Sequence, residues 1–217
     1  MEAFVISIFD NEKSVKAAKR CIRTGDINGI TVKPFKATTP KEPIYQMLEK
    51  RGIQTPQGFT ELYSRRYNAI AAFLSHLRLW EYSFENDKEI LILEHDAVFQ
   101  RGLPKFLNYK SCLQIGQPSY GRFSLPTTMG VQPLIQKDYM KGAHSYIIKP
   151  EAAYAFIETA KSRACPTDLF LNIKWFPFIE ELYPWVCEAQ DTFSTIQNEN
   201  GCLAKHRYGP KYEILDV

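Results

Sequence analysis

The chain has 217 residues, 45% hydrophobic and 24% charged, with 27 Lys and Arg against 24 Asp and Glu. That length can bury the core of one domain, and the composition excludes disordered, collagen-like and coiled-coil proteins. A net charge of +3 does not demand nucleic acid, and it does not oppose an anionic substrate or a membrane surface.

The opening MEAFVISIFDNEK has no basic leader and no small-residue cleavage site, so it reads as a first strand rather than a signal peptide. That strand covers Ala3 to Phe9 and stops at Asp10-Asn11. A helix is expected over Glu12–Arg23, with Val15, Ala18 and Ile22 on its apolar side and Gly25 just past its end. Gly29–Phe35 reads as a second strand, and strand–helix–strand is the opening of an α/β fold. Lys36–Phe59 holds Pro40, Pro43, Pro56, Gly52 and Gly58, which predicts an irregular excursion with a short helix at Ile44–Lys50. Arg65–Phe84 is the clearest helix, because Ile70, Phe73, Leu74, Leu77 and Trp80 recur at helical spacing. After a polar turn, Glu89–Leu93 is an apolar strand core, as expected in the middle of a sheet, and it runs into Glu94-His95-Asp96.

Arg101–Met140 is rich in Gly, Pro, Ser and Thr and reads as functional loop or short strands. Ser145–Lys149 is a short strand, and Pro150 precedes a helix over Glu151–Ser162. Thr167–Trp175 reads as a short helix, Leu182–Val186 as a strand, and Gln190–Val217 as a polar wrap over the surface. No apolar run approaches the roughly 20 residues needed to span a bilayer. Cys21, Cys112, Cys165, Cys187 and Cys202 are widely spaced and odd in number, which fits free thiols in a reducing, cytoplasmic compartment.

An apolar strand that ends in acids delivers carboxylates to its carboxyl edge, where open α/β sheets bind ligands. While the extended geometry persists, Glu94 and Asp96 point to one side and can share a hard cation, with His95 pointing away. Mn²⁺ or Mg²⁺ held in this way bridges to substrate phosphates. The competing reading is that the acids merely end a strand.

The stretch AAFLSHLRLWEYSFENDKEILILEHDAVF, from Ala71 to Phe99, resembles the core signature of glycosyltransferase family 25, in which an "xxFLSHxxxW" helix leads to a strand ending "LEDDAxF". GAHSYII (Gly142–Ile148), CPTDLFL (Cys165–Leu171) and LYPWVCEAQDTFSTI (Leu182–Ile196) resemble later segments of that family, in the family's order. His95 stands where the family has its middle acid, and the amino-terminal "INLxxRxxR" pattern is degraded to VISIFDNEKSVKAAKR. The resemblance implies a GT-A-like α/β fold: a single glycosyltransferase domain over residues 1–217, with a mixed central sheet flanked by helices. Residues 1–100 would form the nucleotide-sugar half, and 101–217 the acceptor half and carboxyl-terminal wrap.

The function implied is metal-assisted, inverting transfer of a hexose, galactose or glucose, as in lipopolysaccharide biosynthesis. The donor would be a UDP-sugar, and the acceptor a glycan, lipid-linked glycan or protein hydroxyl, with no nucleic acid and peripheral contact at the inner face of a membrane. Glu94 and Asp96 would hold the metal, while Ser75, His76, Glu94 and His95 would line the donor site, with a satisfied, partly buried histidine as the default reading of His76. Asp168 aligns with the acid of the family's "PxDxxL" segment and is the candidate base, with a helix N-cap, for which Thr167 competes, as its alternative role. His144 and His206 are further candidate metal ligands, with a surface or loop histidine as the default, and Lys141, Arg122, Lys205 and Arg207 are candidates to meet phosphate, with a solvated loop residue as the default. Trp175, Trp185 and Tyr120 are candidates to stack on an acceptor sugar, with core packing as the default. Nucleotidyl transfer is disfavoured, because Ala3–Arg23 holds no Gly-rich phosphate loop. A catalytically inactive carbohydrate- or nucleotide-sugar-binding protein on the same fold remains the alternative.

Overall fold

The structure is a computed structural model that describes residues 1–54, 57–60, 63–190, 192–198 and 213–217. β1 (Glu2–Ser7) leads through Asn11 into α1 (Glu12–Ile27), and the Asn11 side chain caps the helix by accepting the Ser14 N–H at 2.9 Å. The helix does not stop at Gly25. Its buried stripe is Ser14, Ala17, Ala18, Cys21 and Gly25, all small residues that let the backbone approach the sheet closely. A Cβ on Gly25 would lie 2.8 Å from Val32 Cγ2 and 2.9 Å from the Ile30 carbonyl. That glycine is therefore a packing residue, and the turn is made at Asn28 and at Gly29, whose φ is +77°.

β2 (Val32–Lys36) and α2 (Ile44–Glu49) follow, then α3 (Arg66–Glu85), β3 (Ile90–Glu94) and β4 (Ala97–Phe99). The segment expected to be loop or short strands contains β5 (Cys112–Gln114) and β6 (Gly130–Pro133). β7 (Ser145–Ile148), α4 (Pro150–Arg163), α5 (Thr167–Phe170), β8 (Ile179–Tyr183) and β9 (Cys187–Ala189) come next. β10 (Phe193–Ser194) and β11 (Glu213–Ile214) pair with each other. The expected Thr167–Trp175 helix ends after one turn, because the Asn172 side chain takes the Lys174 N–H and Asn172 bridges to Tyr139. The expected Leu182–Val186 strand is met only at its start: β8 ends at Tyr183, and 184–186 lie outside any strand before β9 begins at Cys187.

Seven strands form a mixed sheet in the order β2-β1-β3-β7-β5-β8-β6. β2, β1 and β3 are parallel, β7 runs against β3 and β5, and β8 is parallel to β5. The core lies on both faces, as the period of two in a strand requires. Ile90 and Ile92 of β3 pack with α3 and α4, and Leu91 and Leu93 pack with Ala18 and Cys21 of α1. On the α3 side, Trp80 stacks on Phe170 with centroids 5.3 Å apart and meets Phe73 and Phe156 at 5.5 and 5.1 Å. Cys21, Cys112 and Cys187 are free, buried thiols, and among the described residues no helix is long and apolar enough to cross a membrane.

Candidate functional site

The parallel strands β1 and β3 finish on one edge of the sheet, with Ile6 paired to Glu94. A cavity of about 570 Å³ opens there, a size suited to a small-molecule site. Ser75, His76, Glu94, His95, Asp96 and Asp168 all line it. These residues come from α3, from the end of β3 and from α5, so the fold brings together side chains up to 93 positions apart in sequence.

β3 ends at Glu94, and a turn follows at 95–96. The expectation that Glu94 and Asp96 share one side of a continuing strand is therefore not met. The turn, not the strand's alternation, places both at the cavity, and the Asp96 carbonyl accepts the Gln190 N–H at 2.9 Å. His95 lines the cavity as well: Nδ1 lies 3.3 Å from Ser14 Oγ, and the ring stacks on Phe193, which also lines it. Burial lowers the His95 pKa to about 4, so the imidazole is neutral at pH 7.

Glu94 accepts a hydrogen bond from His76, with Oε1 and Nε2 3.1 Å apart. Burial alone would raise its pKa. The hydrogen bond from His76 outweighs that and holds the carboxyl below its ordinary range. Ser75 is fully buried; its hydroxyl donates to the Ala71 carbonyl and accepts the Thr38 N–H, both at 2.9 Å. It bolts α3 to the chain after β2, so its hydroxyl is already committed.

Asp168 is not the N-cap of α5; Pro166 holds that position. Asp168 Oδ2 accepts the Tyr120 hydroxyl, and Oδ1 accepts the Leu169 N–H at 2.9 Å. Burial raises its pKa against the pull of both bonds, which makes the carboxylate a stronger base. The Thr167 hydroxyl is buried without a partner among the described residues, so it does not cap the helix either.

His144 lines the cavity and is buried, with a pKa lowered to about 4 by desolvation. It does not extend the Glu94–Asp96 pair, because no group of three His, Cys, Asp or Glu among the described residues is placed to hold a metal. His206, Lys205, Arg207 and Cys202 lie outside the described residues. Lys141 is buried with Nζ donating to the Arg122 carbonyl, and neither residue lines the cavity. Trp175 packs under Arg163 and Trp185 against Tyr183, both away from the cavity, whereas Tyr120 does line it.

Gln190–Val217 is not only a surface wrap. Phe193 to Gln197 and Val217 line the cavity, and Arg65 ties the two pieces down: its N–H donates to the Ile196 carbonyl at 2.7 Å, and its guanidinium donates to the Leu215 carbonyl at 2.7 Å and to Asp216 at 3.0 Å. Sequence reasoning missed this rim and the link from Tyr146 to His76, since both depend on contacts between distant segments. Tyr146 sits in the GAHSYII segment, which was the only available signal.

The cavity wall carries three carboxyl groups, Glu94, Asp96 and Asp168, and among the described residues no lysine or arginine. A diphosphate entering such a wall needs an accompanying cation. Two carboxylates suit a hard divalent ion whose remaining positions are filled by phosphate and water. The donor set therefore fits Mn²⁺ or Mg²⁺ bound together with a phosphorylated ligand.

The family model of Glycosyltransferase family 25 (LPS biosynthesis protein) matches residues 1–120. No curated protein matches the chain. Among solved structures, a mutant Drosophila beta-1,4-galactosyltransferase 7 in complex with manganese, UDP-Gal and xylobiose is similar at a TM-score of 0.47 and 10% identity, over 84% of this chain and 65% of that one. This chain thus spans just under two thirds of that structure's length. CTP:phosphocholine cytidylyltransferase from Streptococcus pneumoniae is similar at a TM-score of 0.39 and 12% identity, over 87% of this chain and 92% of that one. Mouse xyloside xylosyltransferase 1, in its apo form, is similar at 0.42 and 8% identity, over 89% and 86%.

Proposed function

The chain belongs to glycosyltransferase family 25, and from that premise we propose that it moves a hexose, galactose or glucose, from a UDP-sugar to a hydroxyl of a glycan, a lipid-linked glycan or a protein, with inversion. The observation that carries this reading is the cavity itself, which joins two acids at the end of β3 to a buried acid on α5 with a raised pKa.

Glu94 and Asp96 are the residues that would hold Mn²⁺ or Mg²⁺, and the ion when bound supplies charge neutralisation and Lewis acidity at the departing diphosphate. The half formed by residues 1–100 contributes Ser75, His76, Glu94, His95 and Asp96 to the donor side. Asp168, from the 101–217 half, takes the proton of the acceptor hydroxyl as that oxygen attacks the anomeric carbon. The bond from that carbon to the diphosphate oxygen breaks, the glycosidic bond forms, and the proton remains on Asp168. One base and no enzyme nucleophile suffice for inversion. Tyr120 and the Leu169 N–H orient the carboxylate while each oxygen keeps a lone pair free. The net charge of +3 agrees with work in the cytoplasm at the inner face of a membrane, where a lipid-linked acceptor would be presented.

His95 supports a second reading. Its side chain serves Ser14 and Phe193 where the family has a carboxylate, as a protein that binds nucleotide sugar without turnover would tolerate. Incubation with a panel of UDP-, GDP- and CMP-sugars and Mn²⁺ separates the two. A transferase releases UDP and labels an acceptor or water, whereas a binding protein retains the donor intact.

A further inference from the structure

Behind the cavity a chain of polar groups crosses the apolar core on the α3 side. Trp80 and His76 are one helical turn apart on α3, Tyr146 is on β7 and Glu94 ends β3. Tyr146 pairs with Ile92, so it shares a sheet face with Ile92 and, two residues on, Glu94. Trp80 Nε1 lies 2.9 Å from Tyr146 Oη, which lies 2.8 Å from His76 Nδ1. His76 Nε2 is 3.1 Å from Glu94 Oε1. Trp80 and Tyr146 are fully buried and His76 is 1% exposed, so a misdirected hydrogen in this chain would be expensive.

The chemistry of the end groups fixes the direction of the two outer bonds. An indole N–H can only donate, so Tyr146 Oη accepts from Trp80. A carboxylate can only accept, so His76 Nε2 carries a proton and gives it to Glu94. A bare Nε2, with the ring proton on Nδ1 alone, would set the Nε2 lone pair against a carboxylate lone pair.

We propose that His76 is a positioning residue, not a donor-binding one: with its proton on Nε2 and Trp80 and Tyr146 behind it, it holds the Glu94 carboxylate at the mouth of the cavity. Both ring nitrogens are spent on this task, so on this proposal His76 shapes the donor side through Glu94. α3 and the sheet thus set the site's geometry through a relay that buries its own polar atoms. The assignment rests on the reading of Glu94 as a site residue.

The test has two arms. In the first, a long-range ¹H–¹⁵N correlation spectrum of the ligand-free protein at neutral pH reports the imidazole tautomers. His76 is expected to carry a proton on Nε2. A His76 whose Nε2 is bare, with its proton on Nδ1 alone, overturns the proposal, whatever the protein catalyses. In the second, His76→Leu is expected to lower kcat for UDP release by about 100-fold with little change in donor KM, and His76→Gln, which keeps an N–H directed at Glu94, to recover at least about tenfold of it. A His76→Leu enzyme within about threefold of the wild-type kcat overturns the proposal as well. If the wild-type protein turns over no sugar nucleotide, the proposed function fails, and the spectrum alone then decides the role of His76.

Discussion

The His95 and Phe193 rings lie nearly parallel, with centroids 5.2 Å apart and planes 16° apart. The residue standing where the family has its middle acid has thus become the seat of the cavity rim. His95→Asp puts a carboxylate where burial keeps the imidazole neutral, beside an aromatic face. It should lower stability by about 1–3 kcal/mol in urea unfolding, and donor turnover should not rise. A more active His95→Asp enzyme would mean that the third acid is missing from the site rather than replaced.

Asp96→Ala should abolish metal-dependent UDP release, by about 100-fold or more, while the folded state persists. Activity assays at varied Mn²⁺ and a thermal melt check both halves. A residual rate near that of the wild type would remove Asp96 from the metal site.

Asp168 must be ionised to act as a base, and its pKa is raised by burial. The acid limb of kcat/KM should therefore lie above the ordinary carboxylate range, with activity lost as pH falls through it. Tyr120→Phe deletes a hydrogen bond that favours the ionised form, so the limb should move to still higher pH. Asp168→Asn should lower kcat by about 10²–10⁴ with donor affinity nearly kept.

The same shift has a consequence for stability. A carboxyl whose folded-state pKa exceeds its unfolded value favours the fold only when protonated, and it opposes folding once pH rises through the folded-state value. Asp168→Asn should therefore melt no lower than the wild type at pH 7, and a calorimetric scan at pH 5 and pH 7 tests it.

Gly116 faces the His144 ring, and a Cβ there would lie 2.5 Å from Nε2. Gly116→Ala must move a whole buried imidazole and should cost about 1–3 kcal/mol of stability, read from the denaturation midpoint.

The parts of the fold that were legible in the sequence are those whose pattern is local. Ile70, Phe73, Leu74, Leu77 and Trp80 mark one face of α3 without any knowledge of the sheet, and the unbroken run in β3 announces a strand buried on both sides. Gly25 misled because the same residue type ends helices and permits close packing, and only the position of Val32 decides between them. The Trp80–Tyr146–His76–Glu94 chain depends on β7 lying between β3 and β5, a non-local choice that no window of sequence contains. Asp168 was found through the resemblance of its segment, whereas its partner Tyr120 lies in an irregular stretch with no period to read.

The most direct test is anomalous diffraction from crystals grown with Mn²⁺ and UDP. A manganese peak between Glu94 and Asp96, with the diphosphate beside it in the cavity lined by His76 and Asp168, is the expected result. Nucleotide bound elsewhere on the molecule, with no manganese at that pair of carboxylates, would contradict the account.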